Sequence, residues 1–189
     1  MKRVSVFMCA AGLAAAAGAL ALGLPGGGGG QEIDTATVDE VIAEVKALDA
    51  RFGAVESKIK NAEEVLNDVA QNHSEMGDLT DATTLAAIRG VMTPDERDQL
   101  RAASDSLMTV PTDLDSVAKR LPDLTAKTTA ALTDLATQIQ NNPAAAASLK
   151  GKQDQLNEGK AALEAVAQEG PDLVAQSDHL ITAFAAILN

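Results

Sequence analysis

The sequence predicts an all-α protein: an elongated antiparallel helical bundle of about four long helices, packed in a coiled-coil-like heptad manner, behind an N-terminal export signal. Three observations predict it. Apolar residues recur every seven positions over long stretches, which is the seam spacing of packed helices. No segment of useful length alternates apolar and polar residues with the period of two that a half-buried strand requires. Proline, glycine, threonine and asparagine stand where helices begin and end.

The chain opens on Met1-Lys2-Arg3, a short basic segment, followed by residues 4–24 without a charge. Ala17-Gly18-Ala19 and Ala19-Leu20-Ala21 place small residues at cleavage spacing, so residues 1–21 read as a secretory signal peptide. The alternative is an uncleaved membrane anchor over residues 4–24, since about 20 apolar residues span a bilayer; against it, the run is largely Ala and Gly, which insert weakly. Cys9, the only cysteine, lies in this run. Met8 precedes it where a lipoprotein signal carries a small residue, and once the segment is removed no disulfide or thiol nucleophile remains. Pro25 and the glycines of residues 26–30 make residues 22–36 a flexible linker. No strand precedes these glycines and no Gly-Lys-Ser/Thr follows, so they are not a phosphate loop. Residues 37–189 are the bundle.

The first helix is predicted over residues 38–76, capped by Thr35 or Thr37 and ended by Gly77-Asp78. Its seam has two series: Val38, Val45, Phe52, Ile59, Leu66 and His73, and Val41, Leu48, Val55, Ala62, Val69 and Met76. At 1.5 Å per residue it spans about 58 Å. Residues 81–92 form a short helix burying Leu85, Ile88 and Met92. Thr93-Pro94-Asp95-Glu96 is a capping box with proline at the first helical position. It starts a helix with Leu100, Ala103 and Leu107 on one face, which Pro111 stops. Residues 113–141 carry Leu114, Val117, Leu121, Leu124, Thr128, Leu132, Leu135 and Ile139, with a kink expected at Pro122. Asn142-Pro143 is the next boundary. In the last region Leu149, Leu156, Leu163, Gly170, Ser177 and Phe184 keep a seven-residue spacing, as do Val166, Leu173, Leu180 and Ile187. Both series hold phase across Gly170-Pro171, so one helix over residues 144–188 is predicted, bent at the proline, with both halves facing the first helix. The expected layers are 38–76, 81–110, 113–141 and 144–188, neighbours antiparallel through short connections.

Composition narrows function by exclusion. Past the leader there is no Trp or Tyr, only Phe52 and Phe184, so stacking platforms for sugars or single-stranded nucleic acid are scarce. The net charge is -12, and loss of the two cations Lys2 and Arg3 takes it to -14. A phosphate backbone is repelled, so no nucleic-acid partner is expected. Anionic lipid is disfavoured as well, unless basic residues cluster, and no basic patch shows in the sequence. Ser177-Asp178-His179 holds the residue types of a hydrolase triad, but consecutive helix positions point about 100° apart and cannot relay a proton. His73 is a lone seam histidine, and neither His-Glu-x-x-His nor Glu-x-x-His occurs. No catalytic, cofactor-binding or metal-ligating residue is predicted, and no enzyme.

What remains is surface. Alanines 144–147 and Ala161, Ala162, Ala165 and Ala167 make smooth helix faces. Residues 180–188 are apolar almost all round, which favours burial against the base of the bundle over a membrane contact. The leading expectation is an exported, periplasmic or secreted, non-enzymatic structural or interaction protein of the cell envelope or extracellular space, tethered to the membrane if its leader is uncleaved. Its partner is another protein, or a second copy through the seam of the first helix. The alternatives are a membrane-active protein inserting its apolar C-terminal segment, and a small-ligand sensor or carrier using a gap between helices.

Overall fold

The structure is a computed structural model and describes residues 35–76 and 82–189. The expected signal peptide (1–21), its anchor alternative (4–24), nearly all of the linker (22–36) and the Gly77-Asp78 stop lie outside the described residues. Within them the protein is all-α, with no strand. The helices are α1 (Ala36–Asn72), α2 (Ala82–Val91), α3 (Pro94–Leu107), α4 (Val110–Asn141) and α5 (Ala146–Leu188), with 3-10 turns at Ser74–Met76 and Pro143–Ala145.

The seven-residue seam of α1 is its buried face: Val38, Val41, Val45, Leu48, Phe52, Val55, Ile59, Ala62 and Val69 are all buried, joined by Ile42. Burial loosens towards the C-terminus, where Leu66 and His73 are half-buried and Met76 is exposed. The helix ends at Asn72, four residues before the expected limit. There Asn72 Nδ2 donates to Glu96 Oε1 at 2.9 Å and His73 Nε2 stands 3.3 Å from Glu96 Oε2, so the chain is held to α3. At the other end Thr35 occupies the cap position without a side-chain cap bond. Its hydroxyl accepts from Lys152 Nζ at 2.9 Å, and a long-range tie has displaced the local one.

The capping box forms as read: Thr93 Oγ1 accepts from the Glu96 N–H at 3.2 Å, and the Glu96 carboxylate accepts from the Thr93 N–H at 2.8 Å. Pro111 does not act as expected. It lies in the first turn of α4, where an N–H would have no acceptor within the helix and its loss is free. Nor does the chain reverse there: α3 packs on α1 and α5, not alongside α4. The expected layers 81–110 and 113–141 are therefore replaced by α3 and α4 following each other along α1. Pro122 and Pro171 both lie inside unbroken helices.

Side-chain ties fix the directions. Lys127 reaches Glu44 at 3.2 Å and Lys58 reaches Asp113 at 2.7 Å; fourteen residues forward on α1 is fourteen back on α4, so the two are antiparallel. Lys152 pairs with Asp39 at 2.5 Å, and Gln176 donates to Glu63; twenty-four residues forward on α1 is twenty-four forward on α5, so these run parallel. Both halves of α5 thus face α1 across Pro171, as the continuous seams predict, and Leu188 ends beside Met92 and Arg89, far along the chain path from Asn142.

One core joins all five helices, with Phe52, Phe184, Leu48, Ile59, Leu107, Leu135 and Leu156 fully enclosed. Each such side chain stabilises the fold by about 1.5–3 kcal/mol through area removed from water. Thr128 sits in this core because its hydroxyl donates to the Leu124 carbonyl at 2.7 Å. Gly159 is a core position that periodicity did not mark. A Cβ there would lie 3.0 Å from Val45 Cγ1, so the missing side chain sets how closely α5 approaches α1.

Candidate functional site

The residue types that suggest chemistry are not brought together. Ser177 is buried at 1% exposure while Asp178 and His179 face solvent, as their 100° spacing requires. His73 is tied to Glu96. Among the described residues no three His, Cys, Asp or Glu side chains are grouped as a metal site would need.

The ionised groups with displaced titration serve the helix contacts. Glu96 is held down to about 2, first by the Thr93 N–H and then by Asn72, with the Thr93 hydroxyl and His73 adding to it against the opposing effect of burial. Asp113 lies below the usual carboxylate range because Lys58 donates to it. Lys127 is raised by Asp123 and Glu44. Each pins one helix to its neighbour or closes a helix turn.

An apolar groove of about 470 Å³ between α4 and α5 could hold a guest. Its floor includes Phe52 of α1. Leu114, Val117, Ala118 and Leu121 form the α4 wall, and Ala167, Gly170, Pro171 and Val174 the α5 wall. Small residues and prolines on both walls leave the space that larger side chains would fill. Val174 stands on the rim at 45% exposure, one of few large apolar side chains so exposed. The volume falls within the 300–1,000 Å³ common to ligand sites.

The groove's one charged side chain is Asp115, which pairs with the exposed Lys119 at 2.6 Å. Proline has no N–H, so Pro122 and Pro171 cannot donate to the carbonyls of Ala118 and Ala167, four residues back. Both alanines border the groove. The two interior prolines therefore withdraw helix hydrogen bonds from backbone acceptors beside the same opening.

Two further placements bear on the expected surfaces. Of the smooth alanine face, Ala167 enters the groove, while Ala162 and Ala165 are half-buried. Of the apolar tail, Leu180, Phe184 and Ile187 are buried and Ile181 and Leu188 half-buried, so most of its surface is covered by the protein itself. No helix among the described residues is long and apolar enough to cross a membrane.

Sequence reasoning missed the groove because Phe52, Leu114, Val117, Leu121, Val166 and Gly170 were read only as seam residues, and Pro111 and Pro171 only as a stop and a bend. The available signal was joint: Pro111, Pro122 and Pro171 stand in helical stretches beside small residues. Compared with known protein families, with curated proteins and with solved structures, the chain matches none.

Proposed function

We propose that this chain is an exported, non-enzymatic helical interaction protein of the cell envelope or extracellular space, built as an elongated antiparallel bundle with coiled-coil-like packing, and that the α4–α5 groove is its docking surface. The open, apolar groove carries the reading. The seam of α1 is covered by the chain's own helices, so a second copy would have to dock elsewhere. The occupant we assign is an amphipathic helix of a partner protein, with an apolar face for Phe52 and Val174 and basic flanks for an acidic surface. Charge complementarity supports basic flanks: the chain carries 27 Asp and Glu against 15 Lys and Arg.

The test compares two labelled model helices of equal length, one of Leu and Lys and one of Leu and Glu, by fluorescence anisotropy. The expected result is binding of the Leu/Lys helix alone, weakened at least tenfold when Ala167→Trp fills the groove. Equal binding of both helices, or no effect of filling, would sink the reading. A second reading, a small-ligand carrier, is favoured by the groove's volume. A neutral naphthylamine dye that binds the wild type and is excluded by Ala167→Trp, with neither helix binding, would select it.

A further inference from the structure

The sequence shows no run of basic residues, yet the fold gathers three arginines at one place. Arg89 ends α2, and Arg97 and Arg101 stand one turn apart on α3. All three line a cleft of about 310 Å³ with Met92, Ile187 and Leu188. In a chain of net charge -12, three guanidinium groups share this one cleft.

Carboxylates of the described residues do little to neutralise the three side chains. Among the described residues neither Arg89 nor Arg97 forms an ion pair. Arg101 has only Asp98, 3.7 Å away on its own helix, with side chains 65% and 77% exposed, a pairing of little worth in water. Arg97 Nη2 donates to the Arg89 carbonyl at 2.8 Å. This bond closes the end of α2, where a cation also suits the helix dipole, and it holds the Arg97 guanidinium in place. It uses one of five donors. A dipole-capping role accounts for one arginine and leaves the convergence of three unexplained.

We propose that this cleft binds a phosphate group. A guanidinium offers paired N–H donors that match phosphate oxygens, and three of them balance a multiply charged anion. The apolar side of the cleft, Met92, Ile187 and Leu188, together with Val91 nearby in sequence at 52% exposure, suits a phosphate carried on an apolar or neutral body. The site is separate from the α4–α5 groove and does not depend on it. It supplies the basic cluster that the acidic composition appeared to deny, beside the apolar C-terminal segment of α5.

The test uses the full chain and the double variant Arg97→Gln/Arg101→Gln. Thermal unfolding is followed by circular dichroism in inorganic phosphate and in chloride at equal ionic strength. Phosphate is expected to raise the wild-type midpoint, as a ligand of the folded state must, and the variant's apparent affinity is expected to fall at least tenfold. Flotation with phosphatidylglycerol and with phosphatidylcholine vesicles then separates the sources. Arginine-dependent capture by phosphatidylglycerol alone assigns the site to a lipid headgroup; a phosphate response without such capture assigns it to a soluble phosphate. A phosphate response identical in wild type and variant, with flotation also unchanged, overturns the proposal. Should the double variant fold poorly, Arg89→Gln repeats both comparisons, since Arg97 holds the carbonyl of that residue and not its side chain.

Discussion

Replacing Gly159 by alanine tests the contact between α1 and α5. In a helix interior alanine is favoured over glycine by about 1 kcal/mol, so without neighbours the change would stabilise the protein. Here the new Cβ meets Val45 Cγ1 at 3.0 Å, with Val45 Cβ at 3.6 Å and Cγ2 at 3.8 Å. Val45 is 2% exposed, and a β-branched side chain in a helix is confined almost to one rotamer, so it cannot turn away. Overpacking of a closed core costs about 1–3 kcal/mol. The net expectation for Gly159→Ala is a loss of about 1 kcal/mol. Gly151→Ala is the control, since a Cβ there meets nothing within 4 Å, and it should gain about 0.5–1 kcal/mol. Urea unfolding at 222 nm reads both. In a Val45→Ala background the Gly159→Ala penalty should disappear, giving a coupling above about 0.5 kcal/mol. If Gly159→Ala stabilises as much as Gly151→Ala, the close approach of α5 to α1 at Val45 is refuted.

Pro171→Ala should raise stability by about 1–3 kcal/mol, because it restores a helix hydrogen bond to the Ala167 carbonyl; a loss in urea unfolding would mean that the proline's local geometry is needed. Ser177→Ala should stabilise by about 1 kcal/mol, since the Ser177 hydroxyl is buried without a hydrogen-bond partner, and a lowered melting midpoint would show that the hydroxyl is bonded after all. Glu96, with its folded value depressed from 4.5 to about 2, contributes stability that is present above the unfolded value and lost as pH falls through the folded one. The midpoint difference between wild type and Glu96→Gln should therefore be constant near neutrality and shrink from about pH 4.5 to about pH 2; a difference that grows on acidification would reverse the assignment.

The parts of the fold written in local pattern were readable. Val41 to Val69 bury every seventh residue because helix geometry repeats that face, and the Thr93–Glu96 box closes among four consecutive residues. The continuity of α5 followed from seams that hold phase across Pro171, a local pattern with a long-range cause. Pro111 was misread because proline serves a first helical turn as readily as it ends a helix. What decides between the two is Lys58, whose bonds to Thr109 and Asp113 reach 51 and 55 residues along the chain. Thr35 likewise gave up its cap to Lys152, 117 residues away. Gly159 carried no reading in the sequence, because its role depends on Val45 being placed against it. The groove and the arginine cleft were invisible for the same reason: Ala118 with Ala167, and Arg89 with Arg97 and Leu188, become neighbours only after folding.

The parallel pairing of α1 with α5 sets an order of events during synthesis. Ties from α1 to α4 span as few as 55 residues, so those two helices can meet while the chain is still growing. The ties from Asp39 to Lys152 and from Glu63 to Gln176 each span 113 residues. At about 5–20 residues per second, α5, with 43 residues, takes roughly 2–9 s to make. Until it is complete, the side of α1 that Val45 presents to Gly159 has no cover. A nascent chain lacking α5 is therefore open, with part of its apolar seam bare. Closing contacts so distant in sequence is slow relative to local helix formation, so the last helix acts as the latch that completes the core.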